Sequence, residues 1–371
     1  MAYTTIDDPS AYFQVKTYAG TDASPQAFTL DGNSDLQPDW VWIKNRGYAN
    51  KHVLFDSVRG VNKSLTSNSE NMELNQNSDG GYLSAFNSNG FTLTEGSSSD
   101  NDTNDDRYTY VAWNWLGANG TASNSDGSIT TTVSANTTSG FSIIDFTGNE
   151  SNSSIGHGLG VAPSMFIMKR YTDDGYADTG EWYVYHKDLA SDKYLRLQST
   201  AAVATNDGSL WNTSTPVTSS VINIGLNANS NHTGNKTIVY AFAEKKGYSK
   251  FGSYIGNGNA DGTYVHLGFK PAFVMSKCTS HAGEDWNIND DKRPGYNVIQ
   301  NALLPNSSAA EVTASFQAID TLSNGFKWRG TNDRVNASGK TYIYMAFAEN
   351  PFVTSTGIPT TARWLCSYLL T

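Results

Sequence analysis

The apolar residues of this chain recur at every second position, which is the spacing of β-strands. In the segment 341–349, Ile343, Met345 and Phe347 lie on one face of an extended chain, and the residues between them lie on the other. No segment keeps apolar residues at the i, i+3, i+4, i+7 spacing of a helix for three turns. The stretches between the apolar runs are rich in Asn, Asp, Ser and Gly, which favour turns. The pattern predicts an all-β fold.

A proline, an apolar run and a lysine recur three times, at Pro38–Lys44, Pro163–Lys169 and Pro271–Lys277. In each copy the lysine lies six positions after the proline. The run is apolar at consecutive positions, so both faces of the strand are predicted to be buried. The proline precedes the strand, where its missing N–H removes no ladder hydrogen bond. We interpret the three lysines as polar strand ends.

A second apolar strand follows each of these runs at a nearly constant distance. It carries an alanine in each copy, at Ala112, Ala241 and Ala346, and the order of the two motifs is the same each time. Such internal similarity indicates tandem repeats, here of about 105 residues.

These motifs divide the chain into three repeats and short connecting segments. The predicted parts are an N-terminal arm or anchor (1–10), repeat 1 (11–117), a Gly/Ser/Thr linker (118–138) in which residues 129–133 could add a strand, repeat 2 (139–247), repeat 3 (250–352) and a C-terminal tail (353–371). Short strands separated by turn signals predict a β-sandwich or jelly roll for each repeat. No role is predicted for the apolar end of the tail, residues 364–371.

Composition and charge narrow the function classes. The chain of 371 residues has a formal net charge of −10 and only 16% charged residues, which argues against a partner held through phosphate groups. No apolar stretch approaches the roughly 20 residues needed to cross a bilayer, and the first residues do not resemble a secretory signal. Aromatic residues make up 12% of the chain, which argues against disorder. The two cysteines, Cys278 and Cys366, do not define a disulfide framework.

One acidic segment raises the question of a metal site. Asp100, Asp102 and Asn104 occupy alternate positions, as ligands do in a calcium loop. Asp105 stands where that loop needs glycine, and Val111 stands where it needs a bidentate glutamate. A solvated hairpin loop is therefore the favoured interpretation, with the three residues as weak metal candidates. No cofactor is expected.

No catalytic motif is recognisable. The six histidines lie at different positions of the repeats, and no sequence pattern supplies the nucleophile and orienting carboxylate that a catalytic histidine needs. His186 aligns with Asp56 and Asp290, and we interpret it as a polar strand end. No enzymatic activity is therefore predicted.

Two aromatic residues differ from the others because they lie in polar loops. Tyr176 and Trp211 belong to segments of the second repeat that have no counterpart in the other repeats. A loop aromatic on a β-scaffold is a candidate contact for a sugar or a protein. The alternative, a side chain folded back onto its own domain, is left open.

Several segments together resemble a known repeat family. The family is common in virion proteins of marine bacteriophages, cyanophages in particular, and its members are usually labelled tail-fibre-like or of unknown function. The segments that carry the resemblance are Tyr3–Phe13, Val53–Gly60, Ser88–Phe91, Tyr110–Trp115, Gly156–Lys169, Gly252–Gly262, Tyr342–Phe352 and Ser355–Arg363. The resemblance implies a virion component and brings no catalytic residues.

Three functions compete at this point. The leading interpretation is a non-enzymatic virion surface protein, a tail-fibre or adsorption protein that contacts a host-surface glycan or protein through loops. The alternatives are a capsid decoration or knob protein and a polysaccharide depolymerase, which predicts clustered carboxylates in a groove. The expected partners are other virion proteins and further copies of this chain, and neither nucleic acid nor membrane insertion is expected.

Overall fold

The all-β class is confirmed. The computed structural model describes residues 2–75, 81–95, 102–173 and 180–360. Strands dominate these residues, and the helical segments among them are one turn of α-helix, α1 (Ala228–Asn231), and two short 3-10 turns, Pro9–Ala11 and Ser315–Gln317. None of the described helices is long and apolar enough to cross a membrane.

The first part of the chain forms a large sheet and a small sheet, which we call module 1. Its strands are β1 (Phe13–Ala19), β2 (Gln26–Thr29), β3 (Trp40–Asn45), β4 (His52–Asp56), β5 (Lys63–Thr66), β6 (Leu74–Asn75), β7 (Tyr82–Asn87), β8 (Gly90–Thr94) and β9 (Thr109–Trp115). The large sheet has the antiparallel order β1-β9-β3-β4-β5-β6, and the small sheet has the order β2-β8-β7.

Module 2 repeats this order and adds an edge. Its strands are β10 (Ala122–Asn124), β11 (Thr131–Asn136), β12 (Phe141–Thr147), β13 (Ser153–Gly156), β14 (Met165–Arg170), β15 (Trp182–His186), β16 (Lys193–Arg196), β17 (Ala204–Thr205), β18 (Val221–Ile224) and β19 (Lys236–Phe242). The large sheet has the order β10-β11-β12-β19-β14-β15-β16-β17, and β13 pairs with β18. The segment 118–138, predicted to be a linker, is therefore largely structured, because β10 and β11 extend this sheet.

Module 3 has the same central order. Its strands are β20 (Ser249–Ile255), β21 (Tyr264–His266), β22 (Phe269–Cys278), β23 (Asn287–Asp290), β24 (Asn301–Ala302), β25 (Val312–Thr313), β26 (Ile319–Leu322), β27 (Gly325–Trp328) and β28 (Thr341–Pro351). The orders are β20-β28-β22-β23 for the large sheet, β21-β27-β26 for the small sheet, and β24-β25 for a short pair.

The strand register makes positions of the three modules equivalent. Each repeated lysine lies opposite an aliphatic residue of the closing strand: Lys44 opposite Val111, Lys169 opposite Ile238 and Lys277 opposite Ile343.

The same register corrects one detail of the sequence alignment. Counted from these pairs, Ala241 and Ala346 are equivalent, but the matching residue of module 1 is Asn114. Ala112 therefore lies two positions away from the alanine with which it was aligned.

Each large sheet is buried on both faces, as the apolar runs predict. In β3, Trp40 and Trp42 belong to one core cluster, and Val41 and Ile43 belong to another. The second cluster lies inside module 1, between the large and small sheets, and modules 2 and 3 have corresponding clusters of their own.

The first cluster is shared by all three modules. Its aromatic contacts cross the module boundaries: Trp40 of module 1 stacks on Tyr240 of module 2 with ring centroids 4.4 Å apart. Phe347 of module 3 contacts Phe13 of module 1 at 5.2 Å and Phe242 of module 2 at 5.9 Å. The three large sheets therefore pack around one common core.

Backbone hydrogen bonds connect the modules in a cycle. The N–H of Glu73 donates to the carbonyl of Tyr171 (2.9 Å), which joins module 1 to module 2. The equivalent bond from Val203 to Thr279 (3.1 Å) joins module 2 to module 3, and that from Glu311 to Arg46 (2.8 Å) joins module 3 to module 1. In each module the acceptor carbonyl follows a central strand (β3, β14 or β22), and each module both donates and accepts one such bond, so the ring of three closes.

The N-terminal segment packs against module 3. Ile6 is buried in the shared core, the Tyr3 hydroxyl donates to the carbonyl of Gly268 (2.7 Å), and Thr4 Oγ1 donates to the carbonyl of Lys246 (2.8 Å). Asp7 accepts a hydrogen bond from the N–H of Ser355 (2.6 Å). The described part of the predicted arm is therefore attached to module 3, to the short connection before it and to the segment after it.

We expect the shared core to couple the stability of the three modules. Phe347→Ala should lower the free energy of unfolding by about 3–5 kcal/mol, because it removes a buried aromatic side chain from that core. Amide hydrogen exchange should accelerate in all three large sheets. The matched control is Phe326→Ala, in the inner cluster of module 3, for which faster exchange should be concentrated in module 3. Faster exchange in module 3 alone for Phe347→Ala would contradict the coupling.

Candidate binding surfaces

Trp211 is a core residue, which corrects its prediction as a surface contact. It is fully buried in the inner cluster of module 2, where its ring meets Phe166, Tyr185 and Tyr194 edge-on at 5.3 to 6.2 Å. Its indole N–H donates to the carbonyl of Ser191 (3.1 Å). The polar residues around it in sequence form turns, while the ring itself fills the space between two sheets.

The other sequence candidates are divided between described and undescribed residues. Tyr176 and Asp100 lie outside the described residues. Asn104 is buried, and its amide accepts from the N–H of Thr21 (3.1 Å) and donates to the carbonyl of Ala23 (3.0 Å). Asn104 thus holds a turn, and Asp102 lies two positions before it with a half-buried side chain.

At two places among the described residues, three acidic or histidine side chains lie close to one another. One contains Asp22, Asp105 and Asp106, and the other contains His281, Glu284 and Asp333. Asp105 already forms an ion pair with Arg107, which lowers its pKa through their hydrogen bond. Neither cluster coincides with the alternating Asp100, Asp102 and Asn104 pattern.

The repeated lysines are buried rather than solvated strand ends. Lys44 Nζ donates to the carbonyls of Asn45 (2.9 Å) and Ser308 (3.1 Å), and the latter belongs to module 3. Lys169 Nζ donates to the carbonyl of Gly180 and to that of Glu70 (3.3 Å), which belongs to module 1. These two lysines therefore connect neighbouring modules.

Burial changes the acidity of these ammonium groups. Loss of hydration lowers the pKa of Lys169 to about 7 and those of Lys44 and Lys277 to about 8. This burial is not predictable from the sequence, because an apolar run followed by lysine is also typical of an ordinary strand end.

Charged networks occupy equivalent positions in modules 1 and 3. In module 1, Arg59 forms ion pairs with Asp56 (2.6 Å) and Glu73 (3.2 Å), and the hydroxyl of Tyr240 from module 2 donates to Asp56 (2.8 Å). These groups lie at the interface, so the network satisfies charges that the shared core would otherwise leave unpaired.

The network of module 3 has the same geometry. Arg293 forms ion pairs with Asp290 (2.7 Å) and Glu311 (3.0 Å), and the indole N–H of Trp113 from module 1 donates to Asp290 (3.0 Å). Burial favours the neutral form of Glu311, but Arg46 and Arg293 keep its pKa below the usual value.

Module 2 replaces the whole network with less polar residues. His186, Leu189 and Val203 stand at the positions of the aspartate, the arginine and the glutamate. Burial lowers the pKa of His186 to about 4, and its Nε2 lies 3.2 Å from the carbonyl of Tyr344 in module 3. His186 is the last residue of β15, as predicted for a polar strand end, and it is a neutral residue buried at an interface.

A large groove lies between the N-terminal segment, module 1 and module 3. Its volume is about 720 Å³, and Phe13, Val15 and Ala272 form part of its lining. Five carboxylates also line it: Asp7, Asp8, Asp31, Asp291 and Glu349. Residues 354–360, near the end of the described chain, form one of its walls.

A second groove, on module 2, has a different chemistry. Its volume is about 490 Å³, and its lining side chains among the described residues are uncharged. Asn152 and Ser154 come from the β13 region, while Asn212, Thr213 and Ser214 come from the loop segment that contains Trp211. This segment thus contributes hydroxyl and amide groups to a surface groove, although its tryptophan is buried.

A protein-family model matches most of the chain. The model is described as a domain of unknown function, DUF7483, and it matches residues 8–351. The chain belongs to this family. No curated protein and no solved structure matches it.

The buried lysine gives a pH prediction. The unfolded chain holds the Lys169 proton up to about pH 10.5, and the folded chain releases it near pH 7, so stability should increase with pH between these values. Relative to Lys169→Met, wild-type protein should gain roughly 1.4 kcal/mol per pH unit on going from pH 7.5 to pH 9. Urea unfolding measures the difference. The exposed variant Lys51→Met should show no such slope, and a flat difference for Lys169→Met would contradict the prediction.

The charged network of module 1 should tolerate replacement only as a set. Arg59→Leu alone should cost about 3–5 kcal/mol of unfolding free energy, because it leaves the buried carboxylate of Asp56 without its cation. Combining it with Asp56→His and Glu73→Val, the residue types of module 2, should recover most of the loss. Denaturant unfolding of the single and triple variants checks this, and a triple variant weaker than Arg59→Leu would refute it.

Proposed function

Starting from its family and its structure, we propose that this chain is a non-enzymatic protein of a bacteriophage virion surface, a tail-fibre or adsorption protein that contacts the host surface. The resemblance of its segments to virion proteins of marine phages supports this location. The closed arrangement of three modules supports it physically, because a common core makes a rigid scaffold on which loops can vary.

The single observation that favours a host-contact role is the uncharged groove of module 2. Hydroxyl and amide side chains, such as those of Asn152, Thr213 and Ser214, can both donate and accept hydrogen bonds to the hydroxyl groups of a neutral glycan. Asn212, Thr213 and Ser214, from the turns that follow Trp211, supply several of these groups on one wall of the groove. We therefore propose a host-surface glycan as the contact.

A capsid decoration protein is the second candidate, and the packing of the modules favours it. Three modules arranged in a cycle around one core give a single chain an approximately threefold shape. Such a shape would match the symmetry of a threefold position on a capsid lattice. Imaging of labelled particles separates the two candidates, because a decoration protein would cover the head and an adsorption protein would be confined to the tail.

The depolymerase alternative receives limited support from the carboxylates of the large groove. Most of them are already engaged by the protein: Asp31 pairs with Lys16 (3.0 Å), and Asp8 accepts from Ser34 (2.6 Å). A glycosidase needs two carboxylates available to the substrate. Release of reducing sugar from host envelope glycans by the purified protein would establish this alternative.

We expect the purified protein to compete with phage particles for adsorption to host cells. The double variant Asn152→Ala and Thr213→Ala, on the rim of the uncharged groove, should weaken the competition about tenfold, which corresponds to about 1.4 kcal/mol for the hydrogen bonds lost. Counting unadsorbed particles measures the effect. Asn33→Ala, in the other groove, is the control and should compete like wild type. If wild-type protein leaves adsorption unchanged, the proposed contact is wrong.

A further inference from the structure

Three equivalent positions at the end of the large sheet differ in charge among the modules. The first position follows the repeated proline, and its carbonyl accepts a hydrogen bond from the N–H of the second. That bond joins Asp39 to Ser57 (2.8 Å), Ser164 to Lys187 (2.8 Å) and Ala272 to Asp291 (3.0 Å). The third position lies just beyond the closing strand or at its end, and it is occupied by Gly117, Glu244 and Glu349 in the three modules.

We call these three positions the trio. In modules 1 and 2 the trio contains one carboxylate and also the groups that donate hydrogen bonds to it. In module 1, Asp39 accepts from the hydroxyl of Ser57 (2.5 Å) and the N–H of Gly117 (2.8 Å). In module 2, Glu244 pairs with the ammonium of Lys187 (2.8 Å). Each module thus satisfies its carboxylate from within the trio.

Module 3 has two carboxylates in the trio and no donor side chain. Ala272 offers a methyl group, and Asp291 stands where module 2 has the ammonium of Lys187. Glu349 forms an ion pair with Lys270, which lies outside the trio. Asp291 Oδ1 is shielded from solvent, and no hydrogen-bond donor among the described residues reaches it.

The surroundings of Asp291 are acidic overall. Burial raises its pKa, and the neighbouring carboxylates of Glu349 and Asp290 raise it further, while Lys292 and Lys270 lower it by less. Asp291 lines the large groove described above and also a smaller one of about 290 Å³. Asp291 is half-buried, and one of its carboxylate oxygens is shielded without a partner, which is costly in free energy. A cation delivered from the groove would stabilise this carboxylate.

We propose that the large groove binds a lysine-bearing segment of a partner protein, whose ammonium group pairs with Asp291 in the position that Lys187 takes in module 2. The groove volume of about 720 Å³ has room for several residues of an extended peptide. Asp7, Asp8 and Asp31 add to the acidity of the groove lining, although Asp31 already pairs with Lys16 and Asp8 with Ser34. This site is distinct from the uncharged groove of module 2.

Titration of the full-length protein with a tri-lysine peptide tests the proposal. Wild-type protein should bind it saturably, and Asp291→Asn should weaken binding about tenfold. Asp291→Lys, which reproduces the lysine–glutamate pair of module 2, should abolish binding while keeping the fold, as circular dichroism and thermal unfolding would show. Asp126→Asn removes an exposed charge away from the groove and should bind like wild type.

The outcomes that overturn the proposal are distinct. Saturable binding of Ca²⁺ with none of tri-lysine would make the site a metal site. Absence of binding by wild-type protein, together with higher stability of Asp291→Lys, would mean that Asp291 and Glu349 are compensated by a proton. Equal peptide binding by wild type and Asp291→Lys would place the peptide elsewhere.

Discussion

The second face of each large sheet is the constraint on which this structure depends. A central strand that is apolar on both sides needs cover on both sides. The small sheet of the same module covers one side, and the other side is covered by the large sheets of the neighbouring modules. The rings of Trp115 and Phe273, from modules 1 and 3, meet across this space at 5.7 Å. Hydrophobic burial therefore holds the three modules together, rather than any linker between them.

The shared core creates a second requirement. Backbone groups and charged side chains at the module boundaries become buried, so they need hydrogen-bond or ion-pair partners. The chain meets this requirement cyclically, with equivalent backbone bonds at the three boundaries and with two buried lysines, Lys44 and Lys169, that reach carbonyls of a neighbouring module. Module 2 shows that the charged networks are one solution among others, since histidine, leucine and valine fill the same positions there. The three interfaces therefore use equivalent residue positions but different residue types.

The sequence predicts the period of the strands, the two buried faces and the order of the motifs, because each depends on local spacing. The sequence does not show which module covers a given face of a sheet. The burial of the lysines depends on that packing, so they could be interpreted only as strand ends. A slip of two residues keeps every side chain on the same face. For this reason the alignment of Ala112 fitted the pattern while its register was wrong. The sequence left two interpretations of Trp211 open for a related reason: the turn residues around it indicate a loop but do not show where the ring points.

Equivalent positions also show where the chain is free to differ. Changes inside the common core affect three modules at once, whereas changes at the ends of the sheets affect one. The turns around Trp211 and the acidic trio of module 3 both lie at such ends, and each contributes side chains to a groove. Modules 1 and 2 give the carboxylate of the trio a donor within the trio and module 3 does not, so this difference is not required by the common fold. Recognition of other molecules is therefore expected at the departures from the common pattern, and rigidity is expected from the pattern itself.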